Sequence, residues 1–211
     1  MWQFIENNIF SIITAIIAII ALWQTHRQIT ISNKHHLFDK RVDRFISVNS
    51  LISLFKESRN LMDIEGYDHF IDLTVLFHGL TNNTYLKDIG TIIDNTSEEN
   101  IRQNFLVKLE EMKKLSIEIK FLFHGDKINI IKDFVYEYQE LLRIMYKEQI
   151  ILNKILEKNT KNPTEFIKLQ KEFGERKYRE ELYAEYEKIK ALYDVIIEKN
   201  IMNNIENQIK F

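Results

Sequence analysis

Apolar positions follow three patterns along this chain. At the start they run almost without a gap: from Ile9 to Trp23 only Ser11 and Thr14 are polar, and no residue from Asn7 to His26 carries a full charge. A run without a polar face predicts a helix with apolar surroundings on every side. Fifteen helical residues reach about 22 Å, short of a hydrocarbon core about 30 Å thick. The preceding stretch with Trp2, Phe4 and Ile5 brings the segment to spanning length. Trp2 and Trp23 bracket it as interfacial aromatics would, one at each headgroup layer.

Beyond the apolar run the pattern becomes a stripe. Phe38, Val42, Phe45, Val48, Ile52 and Phe55 step by three or four, which puts them on one helical face, while Asp39, Arg41, Asp43, Arg44 and Lys56 fill the others. No Gly occurs before Gly66 and no Pro before Pro163, so one helix is predicted to run from the apolar segment to about Met62. Ile29 to Ser32, β-branched and polar, is the place for a local irregularity. Residues 66 to 95 are less regular. Phe70 to Phe77 reads as a short helix that His78-Gly79 would stop, Thr81 to Thr84 as a turn, and Tyr85 to Ile93 as another short helix.

The third pattern is a set of long amphipathic stripes with punctuation between them. Thr96-Ser97-Glu98-Glu99 has the form of a capping box, and Ile101, Phe105, Leu109, Met112, Ile119 and Phe123 stripe the helix after it. Gly125 is its predicted left-handed stop, with Asp126 placed to cap the next helix. That helix carries Ile131, Val135, Tyr138, Leu142, Met145, Leu152 and Leu156, interrupted by Gln149, and a second stripe through Ile130, Phe134, Leu141, Ile144, Ile151 and Ile155. So broad an apolar surface suits a helix with two neighbours. Asn162-Pro163-Thr164-Glu165 opens the last long helix, with proline in the first turn where its missing N–H costs nothing. Its inner face is Tyr178, Leu182, Tyr186, Ile189, Tyr193 and Ile196; Glu172–Arg176 and Glu175–Arg179 are i, i+4 pairs on the outside, Gly174 is a weak point, and the Asn-rich tail from Asn203 is expected to fray. The predicted fold class is therefore all-α: an N-terminal transmembrane helix running into a long helix, packed as an antiparallel helical bundle with three further long helices. Residues 1–26 form the anchor, 27–200 the helical bundle and 201–211 the frayed tail.

Composition narrows the chemistry. Five Gly and one Pro in 211 residues are too few for an all-β chain rich in tight turns. The absence of Cys excludes disulfides, thiolate catalysis and thiolate metal sites. Lys plus Arg number 29 against 31 Asp plus Glu, a net charge of −2, so there is no basic excess to collect nucleic-acid phosphates. The local charge distribution is more telling. No Lys or Arg precedes the apolar run, whereas Arg27, Lys34, Lys40, Arg41 and Arg44 follow it. Because Lys and Arg concentrate on the cytoplasmic side of a span, the N-terminus is expected outside and the bundle in the cytoplasm. A cleaved signal peptide fits less well, since it wants a basic start and a small-x-small site that Ala18-Ile-Ile-Ala21 does not provide. A buried core helix is the other alternative, because the apolar stretch is short and Glu6, Asn7 and Asn8 interrupt its start.

No reactive constellation emerges. Asp68-His69-x-x-Asp72 offers two metal ligands on one face, too few for a site, and His35-His36 reads as solvated polarity beside the span. Leu76-Phe77-His78-Gly79 and Leu122-Phe123-His124-Gly125 look like a repeat, but their flanks differ. Phosphate-loop, dinucleotide and nucleophile-elbow motifs are missing. The carboxylates alternate with Lys and Arg as solvated faces do. The expectation is no catalytic residue, no cofactor and no metal.

Two stretches resemble a group of uncharacterised bacterial single-span membrane proteins with a helical cytoplasmic region. Ile31-Ser-Asn-Lys-His-His-Leu-Phe-Asp-Lys-Arg41 is similar to their Ile-Ser-x-x-x-x-Leu-Phe-Asp-x-Arg segment after the span. Phe121-Leu-Phe-His-Gly-Asp126 is similar to their Phe-Leu-Phe-Gly-Asp helix turn, with His124 inserted. The resemblance implies the architecture and a bacterial cytoplasmic membrane, and no activity. The function expected is a membrane-anchored helical interaction or scaffold protein that associates with itself or a protein partner. The alternative is a membrane effector or sensor of a bacterial stress or phage-defence system, with Ser11 and Thr14 facing into an oligomer.

Overall fold

The uninterrupted run and the stripe that follows it form one helix, α1, Trp2–Met62. The computed structural model describes the backbone of residues 2–62, 73–158 and 163–209, and the side chains of 8–59, 73–158 and 165–209. No irregularity appears at Ile29 to Ser32. Thr30 Oγ donates to His26 O at 3.0 Å, as Thr25 does to Ala21 O at 2.8 Å, so these β-branched hydroxyls are satisfied within the helix and do not break it.

The chain divides into two units, residues 1–42 and 43–211. In the first, nearly every described side chain is exposed. The second has a continuous apolar core that starts at Val48 and ends at Ile205. Within it the later part of α1 buries Val48, Ile52 and Phe55 of the expected stripe together with Leu51 and Leu54, which the spacing does not single out, while Phe45 is half-buried. α2, Leu73–Thr81, runs straight through His78 and Gly79, so that pair is not a stop; the carbonyl of Phe77 instead accepts the Thr81 hydroxyl at 2.8 Å. Gly125 lies outside any helix, which removes the apparent repeat between the two Leu-Phe-His-Gly stretches. A 3-10 helix, Lys87–Ile93, follows and buries Ile89, Ile92 and Ile93.

α3, Glu99–Leu122, and α4, Ile128–Lys158, meet at a turn where Gly125 has φ +114°. The chain reverses there, and the Phe105 and Tyr146 rings come within 4.9 Å of each other. The expected capping box does not form. Glu98 is the N-cap and makes no side-chain cap bond. Thr96 is held elsewhere: its hydroxyl accepts Asn153 Nδ2 at 2.9 Å, and its carbonyl accepts the Tyr146 hydroxyl at 3.2 Å. A tertiary partner has outcompeted the local one.

The predicted last long helix is two, α5 (Pro163–Phe173) and α6 (Glu175–Glu198), separated at Gly174, which adopts the left-handed conformation with φ +65°. That break turns Arg176 away from Glu172 and towards Glu180, at 3.0 Å. Within the expected tail, Ile201–Glu206 form a further short helix, α7, and the last two residues of the chain lie outside the described residues. Ile201 and Ile205 enter the core, and the Gln208 side chain brackets the peptide of His124, accepting its N–H and donating to its carbonyl at 2.8 Å each.

α4 is central, packing against α3 on one side and α6 on another, as its two stripes require. Phe55 from α1 sits against Phe134, Tyr186 and Tyr193, with centroids 5.3–5.9 Å apart. Such pairs contribute roughly 0.5–1.5 kcal/mol each beyond area burial. Tyr138 is fully buried and donates its hydroxyl to Leu80 O at 2.7 Å, tying α4 to α2. Leu156, counted in the α4 stripe, is half exposed near the helix end.

Candidate functional site

Ten large apolar side chains between Ile9 and Trp23 are exposed: seven Ile, with Phe10, Leu22 and Trp23. Covering one such side chain is worth about 1.5–3 kcal/mol. Left in water, ten of them would forgo on the order of 15–30 kcal/mol, more than the 5–15 kcal/mol that usually holds a whole domain folded. This helix is long and apolar enough to cross a membrane, and none of its most apolar stretch is buried in the protein. The hydroxyl of Thr14 donates to Phe10 O at 2.7 Å, which removes most of its cost in hydrocarbon. Trp23 ends the run with the Arg27 guanidinium over its ring at 5.9 Å, a cation–π pair. Ser11 is exposed on the same helix, and the Trp2 side chain falls outside the described residues.

The basic residues after the run do not share one role. Arg27, Lys34 and Lys40 are exposed, whereas Arg41 and Arg44 are half-buried. Arg44 Nε lies 2.6 Å from Glu118, an ion pair between α1 and α3. Expected only as a topology signal, it also fastens the fold. The Asp68-His69-x-x-Asp72 pattern lies outside the described residues. Among the described residues no group of three His, Cys, Asp or Glu is placed to hold a metal.

A feature missed in the sequence is a set of carboxylates between α4 and α6. Glu148, Glu175 and Glu185 are buried, not solvated. Glu175, expected on the outside, is packed beneath its partner Arg179. Glu148 sits nearby with Oε2 lacking any hydrogen-bond partner; burial, then the Glu175 charge, push its carboxyl up to about 7 against the pull of Arg179. About three turns away along both helices, Lys188 Nζ is 2.8 Å from Glu185 and 4.0 Å from Glu137. Burial, then a hydrogen bond with Glu185 and its charge, hold Glu137 up to about 7. Glu185 Oε1 is buried and has no hydrogen-bond partner. A cavity of about 340 Å³ opens here, also lined by Glu140, Arg143 and Glu181, with Arg143 paired to Glu140. The cluster can hold a proton near neutral pH, with Lys188 and Arg143 beside it. The signal was present in the spacing: Glu148 continues the Leu141, Met145, Leu152 and Ile155 stripe, and Glu185 lies three residues from Leu182 and four from Ile189.

No protein-family model, curated protein or solved structure matches the chain. The class that stands is an all-α protein carrying one helix long and apolar enough to span a membrane.

Proposed function

We propose that this chain is a membrane-anchored helical interaction protein, whose apolar segment spans the bacterial cytoplasmic membrane once and whose helices after about residue 27 pack as an antiparallel bundle in the cytoplasm. The observation that carries the reading is the run of ten exposed large apolar side chains ended by Trp23 and Arg27. The exposed Lys and Arg on the C-terminal flank support the orientation, and the resemblance of residues 31–41 to bacterial single-span proteins supports the location. An effector that lines a pore with its hydroxyls draws less support, because Thr14 spends its proton inside its own helix.

The test uses the natural lack of cysteine. The full chain should remain in membranes after an alkaline carbonate wash. On intact cells, Gln3→Cys should react with an impermeant thiol reagent and Lys199→Cys should not. Release by carbonate would remove the anchor from this reading, and the reverse labelling would invert its topology.

A further inference from the structure

Along the outside of α3, Gln103, Val107, Glu110, Lys114, Ile117 and Phe121 advance by four and three residues alternately, the a/d spacing of a coiled coil. This is the face opposite the buried stripe of Phe105, Leu109, Met112 and Ile119. Its apolar members are left in the open: Val107 is 56% exposed, Ile117 49% and Phe121 76%. An open groove of about 1010 Å³ runs beside them, with Gln139, Glu140 and Arg143 of α4 as its far wall. Gln139 Oε1, buried in that wall, has no hydrogen-bond donor.

The order of charges on this face says what fits it. Laid antiparallel on a second copy with the two-fold axis at Met112, the six residues pair only with one another. Val107 meets Ile117, Glu110 meets Lys114 and Gln103 meets Phe121, each twice. A parallel, in-register pairing would set Glu110 on Glu110 and Lys114 on Lys114. Of the flanking charges, Glu111 is already neutralised by Lys108 at 2.6 Å and Glu118 by Arg44. An anionic lipid surface would meet the Glu110 carboxylate on the same face.

We propose that this face of α3 is the docking surface for a second copy of the chain, joined as an antiparallel two-helix seam. The proposal deepens the interaction reading above by naming the partner and the surface. The stretch from Gln103 to Phe121 is about 27 Å long, which suits a small, reversible interface.

Single cysteines test the register in membranes, on the full chain. Val107→Cys and Ile117→Cys, on two differently tagged copies expressed together, should form an intermolecular disulfide on mild oxidation. Val107→Cys alone should not, because residues 107 of the two copies lie about 15 Å apart along the seam, beyond the ~7 Å a disulfide bridges. In detergent, Glu110→Lys and Lys114→Glu should each weaken the dimer by about tenfold, since each loses two ion pairs and sets like charges opposite. The double exchange, Glu110→Lys with Lys114→Glu, should restore it. Circular dichroism of every variant should match the parent. A folded but monomeric parent, 107–107 links forming as readily as 107–117 links, or no rescue by the double exchange would overturn the proposal. So would protection of both cysteines by anionic lipid vesicles without any link. Carbonate retention is scored on the same samples: anchored but unlinked chains sink this surface and leave the anchor, whereas linked but released chains sink the anchor and leave this surface.

Discussion

Glu148 shows how one residue sets a pH dependence. Its buried carboxyl, with Glu175 beside it, is held up to about 7, whereas the same group in the unfolded chain titrates near 4.3. Between those values the folded state keeps a proton that the unfolded state has released. Stability is therefore intact below about pH 4.3, falls as pH rises through the interval, and levels off above about 7. Glu137 shifts in the same direction and adds to the slope, its share reduced by solvent exposure. Glu148→Gln cannot ionise. In urea melts of the full chain it should match the parent at pH 4, exceed it on the order of 1 kcal/mol at pH 8 and show a shallower pH slope. An unchanged slope would mean that another group carries the protons. The position was readable as part of an apolar stripe, but its burial was not. A glutamate on a stripe can snorkel to water at a helix edge, and only the closeness of α6 prevents that here.

Among the elements, the turn between α3 and α4 separates a conformational cost from a packing cost. Gly125 has φ +114°, and nothing lies within 4 Å of where a Cβ would stand. The penalty for a side chain is therefore backbone strain alone, and Gly125→Val should cost about 1 kcal/mol or more. Leu115 is buried in the middle of α3. Leu115→Pro removes an intrahelical hydrogen bond and drives a ring into the preceding turn, at about 3 kcal/mol or more before any core loss. Thermal melts should rank Leu115→Pro well below Gly125→Val, with both chains still retained in membranes. A Gly125→Val melt equal to the parent's would show that the turn does not need glycine. This hairpin was legible because Gly125 and the two stripes are local signals. The break at Gly174 was less so: glycine inside a helix pattern usually costs only about 1 kcal/mol and is tolerated.

For the molecule as a whole, the buried residues of the core run from Val48 to Ile205, all of them in the second unit, with Phe45 packed against their edge. The second unit should therefore fold without the first. A chain starting at Phe38 should be helical and melt cooperatively in detergent-free buffer, while the full chain should need detergent or lipid to stay dispersed. A truncated chain that is unfolded would show that the apolar segment contributes to the core.

What the sequence determined alone is whatever depends on neighbours within a turn or two. The helical period of the stripes, the run without a polar face, and the glycine at the α3–α4 reversal all act over such distances, and each led to an element of the right kind. Tertiary structure decided the matters in which a residue chooses between a near partner and a distant one. Thr96 gave up its cap for Asn153, fifty-seven positions away. Arg44 became a tie to Glu118, and Gln208 turned a tail into a closed end by bracketing His124. Glu148, Glu175 and Glu185 lost their water when α6 closed on α4. A local hydrogen bond contributes about 1 kcal/mol net, which a distant partner can match. The winner depends on which helices meet, and that is a property of the packed core rather than of any segment.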